Sequence, residues 1–204
     1  MRVDYQFWRK MAVPLLLISL VLLVLVLIPG IGGKVKGASR WIRLPGFNFQ
    51  PSEFTKIALI LYLAYSIDKK QDRIRSLSAG FLPYMVVLII LLGLLLKQPD
   101  LGAALTLAAV TILMLFAAGT RLVFILGSAM VALPFVAFLV YHSAYRLKRI
   151  KAFMNPEQDP TGIGWQIIQS KYAFGAGGFF GQGLGEGKQD RKSVVEGKSV
   201  DLGG

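Results

Sequence analysis

Four long stretches of this chain carry no charge at all: Met11–Ile28, Ser76–Leu96, Leu101–Ala118 and Leu122–Tyr141. Apolar runs of about 18 or more residues read as membrane spans, because about 20 helical residues at 1.5 Å rise cross about 30 Å of hydrocarbon. In lipid, every backbone N–H and C=O must be bonded within a helix or a closed barrel. Nothing here alternates in the way a barrel strand does. The expected fold is therefore all-α, a polytopic membrane helix bundle.

Five spans are predicted, at about 11–28, 54–67, 81–96, 101–118 and 122–141. The second and third are short. They are expected to begin earlier, in Pro51-Ser52-Glu53 and Ser76-Leu77-Ser78, or to sit tilted. Gln50-Pro51-Ser52-Glu53 puts Pro at a first helical position and an acid in the first turn. Gln98-Pro99-Asp100 repeats that arrangement before the fourth span, and Gly119-Thr120 ends it. Two polar regions are read as loops. Residues 30–50 are basic and contain glycine. Residues 142–189 contain Pro156, Pro160 and seven glycines between Gly175 and Gly187.

Charge narrows the partners. The net charge is +12, which in a soluble chain would suggest nucleic acid. Here the basic residues lie between apolar runs, so membrane lipids or an anionic lipid-linked substrate are expected instead. Alternating spans assign Arg9, Lys10, Lys69, Lys70, Arg73, Arg75 and Arg121 to one side. The other side receives Lys34, Lys36, Arg40, Arg43, Lys97 and the cluster Arg146–Lys151. The positive-inside rule calls for an asymmetry that this chain barely has. One basic set is thus expected to hold an anionic head group, and the outward sets Lys34–Arg43 and Arg146–Lys151 are the candidates.

Other chemistries are excluded. The chain has no cysteine, so it has no disulfide, thiolate nucleophile or zinc–thiolate site. His142 is the one histidine and cannot build a multi-histidine metal site. A Walker loop ending at Gly187-Lys188 would need Gly where Gln182 stands and Ser or Thr where Gln189 stands. No cofactor signature is present, and a divalent cation is left open.

Several spaced motifs resemble the FtsW/RodA/SpoVE family. They are Lys36-Gly37-Ala38-Ser39-Arg40-Trp41-Ile42, Gln50-Pro51-Ser52-Glu53-Phe54-Thr55-Lys56, Gln98-Pro99-Asp100-Leu101-Gly102, Asn155–Pro160 with Gly164-Trp165-Gln166, and Gly181-Gln182-Gly183-Leu184-Gly185. The wording of Lys36–Trp41 and of Gly183–Gln189 looks more like the division branch than the elongation branch. The resemblance covers about residues 3–189 and implies a partial transmembrane domain, with about five of the family's roughly ten spans. Residues 190–204 resemble a translated sequencing adapter and are left out of the fold argument. Their three basic and three acidic residues leave the net charge unchanged.

The resemblance also implies a function. Members polymerise glycan from lipid II, a disaccharide-peptide on a polyprenyl diphosphate, at the division septum of the bacterial cytoplasmic membrane. They work beside a class B penicillin-binding transpeptidase and other divisome proteins. The presumed catalytic aspartate lies beyond Gln189, so no catalytic residue is assigned here, and the chain as given is expected to be inactive. A lipid II flippase, or a non-catalytic membrane partner of the transpeptidase, are the alternative readings.

Candidate substrate contacts follow from a simple need. A diphosphate leaving group requires cations where charge develops. Arg40 and Lys36 sit in the basic loop and either contact the diphosphate or pair with lipid phosphates; Arg suits bidentate contact better. Glu53 and Lys56 share a helix face three residues apart, and either pair with each other or line a polar cavity. Asp100, with Gln98 beside it, either caps a helix or faces the substrate. Asp159 reads locally as a turn residue. Gln166 and Lys171 lie on a short helical stretch that the resemblance places along the outer cavity.

Overall fold

The computed structural model describes residues 4–28, 32–35, 38–44, 47–158, 163–178, 180, 181 and 183. Seven α-helices follow one another among them: α1 Tyr5–Leu27, α2 Pro51–Lys69, α3 Leu82–Lys97, α4 Leu101–Ala117, α5 Leu122–Tyr141, α6 Ala144–Met154 and α7 Ile163–Gly177. The fold is all-α as expected. Two compact units divide the chain at Met130, residues 1–130 and 131–204.

In the first unit each helix buries one face. The buried positions are Ala12, Leu16, Ser19, Leu23 and Val26 on α1, and Tyr84, Leu88, Leu91 and Leu95 on α3. Steps of three and four place such residues on a single stripe. Outside the stripes the surface is aliphatic, with Val21, Ile89, Leu113 and Val123 all more than half exposed. The interior, by contrast, holds Ser19, Ser52, Thr55, Gln98, Asp100 and Thr111. An apolar surface around a partly polar interior suits lipid, where packing and internal hydrogen bonds, rather than water exclusion, join helices. Several buried hydroxyls bond within their own helices, Thr55 to the Pro51 carbonyl at 2.8 Å and Thr111 to that of Leu107 at 2.8 Å.

By length and composition, three helical segments are sufficient to cross a membrane: Tyr5–Leu27, Leu77–Lys97 and Leu122–Tyr141. The α4 helix is shorter, and α2 carries Glu53, Lys56, Asp68 and Lys69 toward its ends. The short predicted spans are lengthened by their caps. The α2 helix starts at Pro51, and a wide π-type turn, Leu77–Phe81, opens the helix that continues as α3. Ser76 caps that turn by accepting from the Ala79 N–H at 3.3 Å. Gly119 closes α4 at φ +85°, a left-handed position that glycine occupies without strain.

Two segments read as loops are ordered elements. Three strands, β1 Gly32–Val35, β2 Ala38–Leu44 and β3 Phe47–Phe49, pair in that order as an antiparallel sheet. Gly33 faces Trp41, Ile42 faces Phe49, and the register shifts between Gly33 and Lys34. The sheet packs against α1 and α2. Its strands are too short to announce themselves in sequence and stand on the helix ends that flank them. In the second unit the supposed loop contains α6 and α7, joined through a short 3-10 turn, Pro156–Gln158, that packs on both. Arg146 Nη1 donates to the Leu139 carbonyl at 2.9 Å, and the His142 ring lies 4.0 Å from that of Phe138.

Candidate functional site

Four candidate residues, Glu53, Lys56, Gln98 and Asp100, lie toward one end of the first unit, where the sheet sits. The α2 and α4 helices begin there side by side; Pro51 opens α2 as expected, but Pro99 does not repeat that role, because it precedes the N-cap Asp100 and lies outside α4. Each helix offers a first turn whose N–H groups have no helical partner. The Asp100 carboxylate answers that of α4 and reaches across to the residue preceding α2. Its Oδ1 accepts from the Ala103 N–H at 3.2 Å, capping α4, and its Oδ2 accepts from the Gln50 side-chain amide at 3.5 Å. Gln50 also donates to Ser52 Oγ at 2.9 Å. Asp100 is buried, so its charge is held among donors rather than in solvent.

Gln98 ties in a third helix. Its side chain is 1% exposed, and Nε2 donates to the Leu23 carbonyl of α1 at 2.9 Å. The two Gln-Pro sequences, Gln50-Pro51 and Gln98-Pro99, thus do related work. Each glutamine precedes the proline at a helix start and sends its amide across to another helix. Neither Gln50 nor Ser52 was singled out from sequence. The repeat of Gln-Pro ahead of two spans was the available signal, but the partner of Gln50 is 50 positions away.

Glu53 and Lys56 lie just beyond this knot on α2. Lys56 Nζ stands 2.7 Å from Glu53 Oε2. The glutamate side chain is 59% exposed and the lysine 26%, so the pair faces outward with its lysine stem packed. An opening of this pair would free one cation at the sheet end of the bundle. Phe49 and Phe54, with ring centroids 6.3 Å apart, cover the junction of β3 and α2.

The remaining candidates are distributed as follows. Arg40 belongs to β2, the middle strand, but its side chain lies outside the described residues, as do Lys36 and Asp159 entirely. Gln166 lies in α7 with its side chain outside the described set, and Lys171 is exposed on the same helix. The structure therefore joins Asp100 through Gln50 to the start of α2, where Glu53 and Lys56 follow, and Gln98 to α1. Among the described residues no three His, Asp or Glu side chains gather as a metal site would require.

The other end is distinct. Arg9 Nη2 of α1 lies 3.7 Å from Asp68 Oδ2 of α2, and Tyr65 sits beneath Arg9 and Lys69 at 5.9 and 6.0 Å. These contacts and those of Gln98 and Asp100 establish alternation of α1, α2, α3 and α4 between two ends. Tyr5, Phe7 and Trp8, all well exposed, give the Arg9 end the aromatic belt of a membrane interface.

Comparison with known proteins agrees with this architecture. A family model described as "Cell cycle protein", covering FtsW, RodA and SpoVE, matches residues 1–201. A curated relative from Trichlorobacter lovleyi, named "Probable peptidoglycan glycosyltransferase FtsW", is 89% identical over 189 residues, covering 93% of this chain and 50% of the relative. A relative of the same name from Geobacter sulfurreducens is 66% identical over 189 residues, covering 93% and 51%. A solved structure described as "Structural coordination of polymerization and crosslinking by a peptidoglycan synthase complex" superposes with a TM-score of 0.63 at 32% identity, covering 87% of this chain and 52% of that one. The chain spans about half the length of the curated relatives it matches. Their name agrees with the division branch read from Lys36–Trp41 and Gly183–Gln189.

Proposed function

Because this chain belongs to the FtsW/RodA/SpoVE family of cell cycle proteins, we propose that the protein built on it polymerises lipid II into glycan strands during septal wall synthesis. The observation that carries this reading is the buried polar cluster that joins helix ends at the sheet end of the bundle. There Glu53 and Lys56 pair on α2, which packs against the strand that contains Arg40, while Asp100 and Gln98 bond to Gln50 and to the Leu23 carbonyl. A polar end in a membrane bundle is costly and marks where a polar substrate can be handled.

In the proposed reaction a hydroxyl of the acceptor sugar attacks the anomeric carbon of a donor strand or disaccharide. The new C–O bond forms as the bond from that carbon to the diphosphate oxygen breaks. A carboxylate base takes the hydroxyl proton, and the diphosphate leaves with the electron pair. Arg40 and Lys36 are assigned to the diphosphate, where a cation lowers the barrier by stabilising developing charge. Gln98 and Asp100 hold the ends of α1, α2 and α4 in register so that the sheet is fixed above them. Glu53 and Lys56 border the substrate path, and Asp159, Gln166 and Lys171 are assigned to it from the following segment. The base is assigned to the extracytoplasmic segment that follows Gln189 in the family.

Two further parts belong to the proposal. The partner is a class B transpeptidase, supported by the likeness to a synthase complex that coordinates polymerization and crosslinking. The site of action is the bacterial cytoplasmic membrane at the septum, supported by the name of the curated relatives.

Substitution of the loop cations tests the assignment. In the full-length protein, Arg40→Ala is expected to lower glycan formation by about tenfold to a hundredfold, the worth of one charge-assisted contact on a leaving group. Lys36→Ala is expected to lower it less. Arg40→Ala with unchanged turnover would remove Arg40 from the site.

A further inference from the structure

The end of the first unit that carries Arg9 and Asp68 holds a second feature, remote from the polar knot. Past the last turn of α2 the chain makes a short 3-10 turn, Gln71–Arg73, before entering the helix that becomes α3. Between these elements lies a cavity of about 380 Å³ lined by Lys69, Lys70, Asp72, Arg73, Ala79 and Pro83. Three cations face it against one carboxylate. Among the described residues, none of the three has a carboxylate within the 4.0 Å of an ion pair.

Lys69 is accounted for in part by its place in the last turn of α2, where the helix dipole favours a cation, and by the Tyr65 ring 6.0 Å away. Lys70 and Arg73 lie beyond that turn, exposed, and neither relation extends to them. The floor of the cavity is fixed. Next to the lining residue Ala79, Gly80 is buried, and a Cβ there would come within 2.6 Å of the Ile74 carbonyl oxygen, so only glycine lets the Leu77–Phe81 turn approach the Arg73–Ile74 backbone this closely. A concave, charged surface whose backbone is tightly packed is a built site rather than a loose band.

One wall of the cavity continues into lipid. Ala79 and Pro83 belong to the Leu77–Lys97 helical segment, whose exposed Leu82, Val86 and Ile89 descend one face by steps of four and three. A ligand filling this place would set phosphate among Lys69, Lys70 and Arg73 and lay hydrocarbon along that stripe. We propose that the cavity is a specific site for an anionic phospholipid, with the phosphate held by Lys70 and Arg73 and an acyl chain on Leu82, Val86 and Ile89. The inference is independent of the glycan chemistry, since it concerns the opposite end of the bundle.

Native mass spectrometry of the full-length protein in detergent, offered equal amounts of dioleoyl phosphatidylglycerol and dioleoyl phosphatidylcholine, tests it. The wild-type protein should retain phosphatidylglycerol. Lys70→Ala/Arg73→Ala should reduce that retention by about tenfold or more, as expected for two interfacial cations. The charge-matched pair Lys10→Ala/Arg121→Ala, outside the cavity, should reduce it far less, and Lys70→Arg/Arg73→Lys should preserve it. Circular dichroism confirms that each variant keeps its helices. Equal losses in the two alanine pairs would reduce the effect to general surface charge, and undiminished retention in Lys70→Ala/Arg73→Ala would remove the site. Full displacement of the lipid by inorganic phosphate would mean that a free phosphate, not a lipid, is the ligand; each of these three results overturns the proposal.

Discussion

Gln50 and Asp100, 50 positions apart in sequence, meet at 3.5 Å through amide and carboxylate, and so join the first turn of α2 to the first turn of α4. The same carboxylate caps α4 through the Ala103 N–H. Asp100→Ala removes both contacts and is expected to destabilise the protein by about 1–2 kcal/mol. Asp100→Asn keeps a capping oxygen and should cost less than half as much. Equilibrium unfolding in mixed detergent–denaturant micelles measures both. Equal losses would mean that capping contributes nothing at this position.

Gln98 is fully enclosed and gives its amide to the Leu23 carbonyl. Gln98→Leu keeps the volume and loses the bond. A loss of about 1 kcal/mol is expected in the same unfolding measurement. Double substitution with Asp100→Ala should give more than either alone. No loss in Gln98→Leu would show that the Leu23 carbonyl finds another donor.

Gly80 packs against backbone, not against a movable side chain. Gly80→Ala therefore forces α3 away from the Arg73–Ile74 turn, at a cost of about 1–3 kcal/mol. Gly93→Ala, where a Cβ would meet nothing within 4 Å, is the control and should be neutral or slightly stabilising. Thermal unfolding in detergent separates the two, and equal melting temperatures would contradict the packing argument.

Lys56 is paired with Glu53 in a half-exposed geometry. Such pairs contribute less than about 1 kcal/mol, so Lys56→Gln should leave stability nearly unchanged. If Lys56 borders the substrate path as proposed, the variant raises the apparent KM for lipid II while kcat changes little. Unaltered kinetics would leave Lys56 with its salt bridge as its sole role.

Much of the fold was legible because membrane helices write themselves as uninterrupted apolar runs. Pro51 and Pro99 marked starts, and Gly119 marked an end. The sheet of residues 32–49 was not legible. Its strands have four, seven and three residues, and they are held by seating on α1 and α2 rather than by a long alternating pattern. The α6 helix was hidden differently. Arg146, Lys148, Arg149 and Lys151 make Ala144–Met154 read as polar, although Ala152 is buried and Leu147 partly so. In the candidate site, the pairing of Glu53 with Lys56 followed from local spacing. The Gln50–Asp100 bridge could not, because its partners become neighbours only once α2 and α4 pack.

The central claim is polymerisation of lipid II, and reconstitution tests it most directly. The full-length protein and a candidate class B transpeptidase would be placed in liposomes with lipid II and no nucleotide, and both glycan strands and transbilayer movement of lipid II would be followed. The account predicts strands from the wild-type protein and about tenfold to a hundredfold fewer from Arg40→Ala. Absence of strands while lipid II crosses the bilayer would contradict it and establish transport in its place.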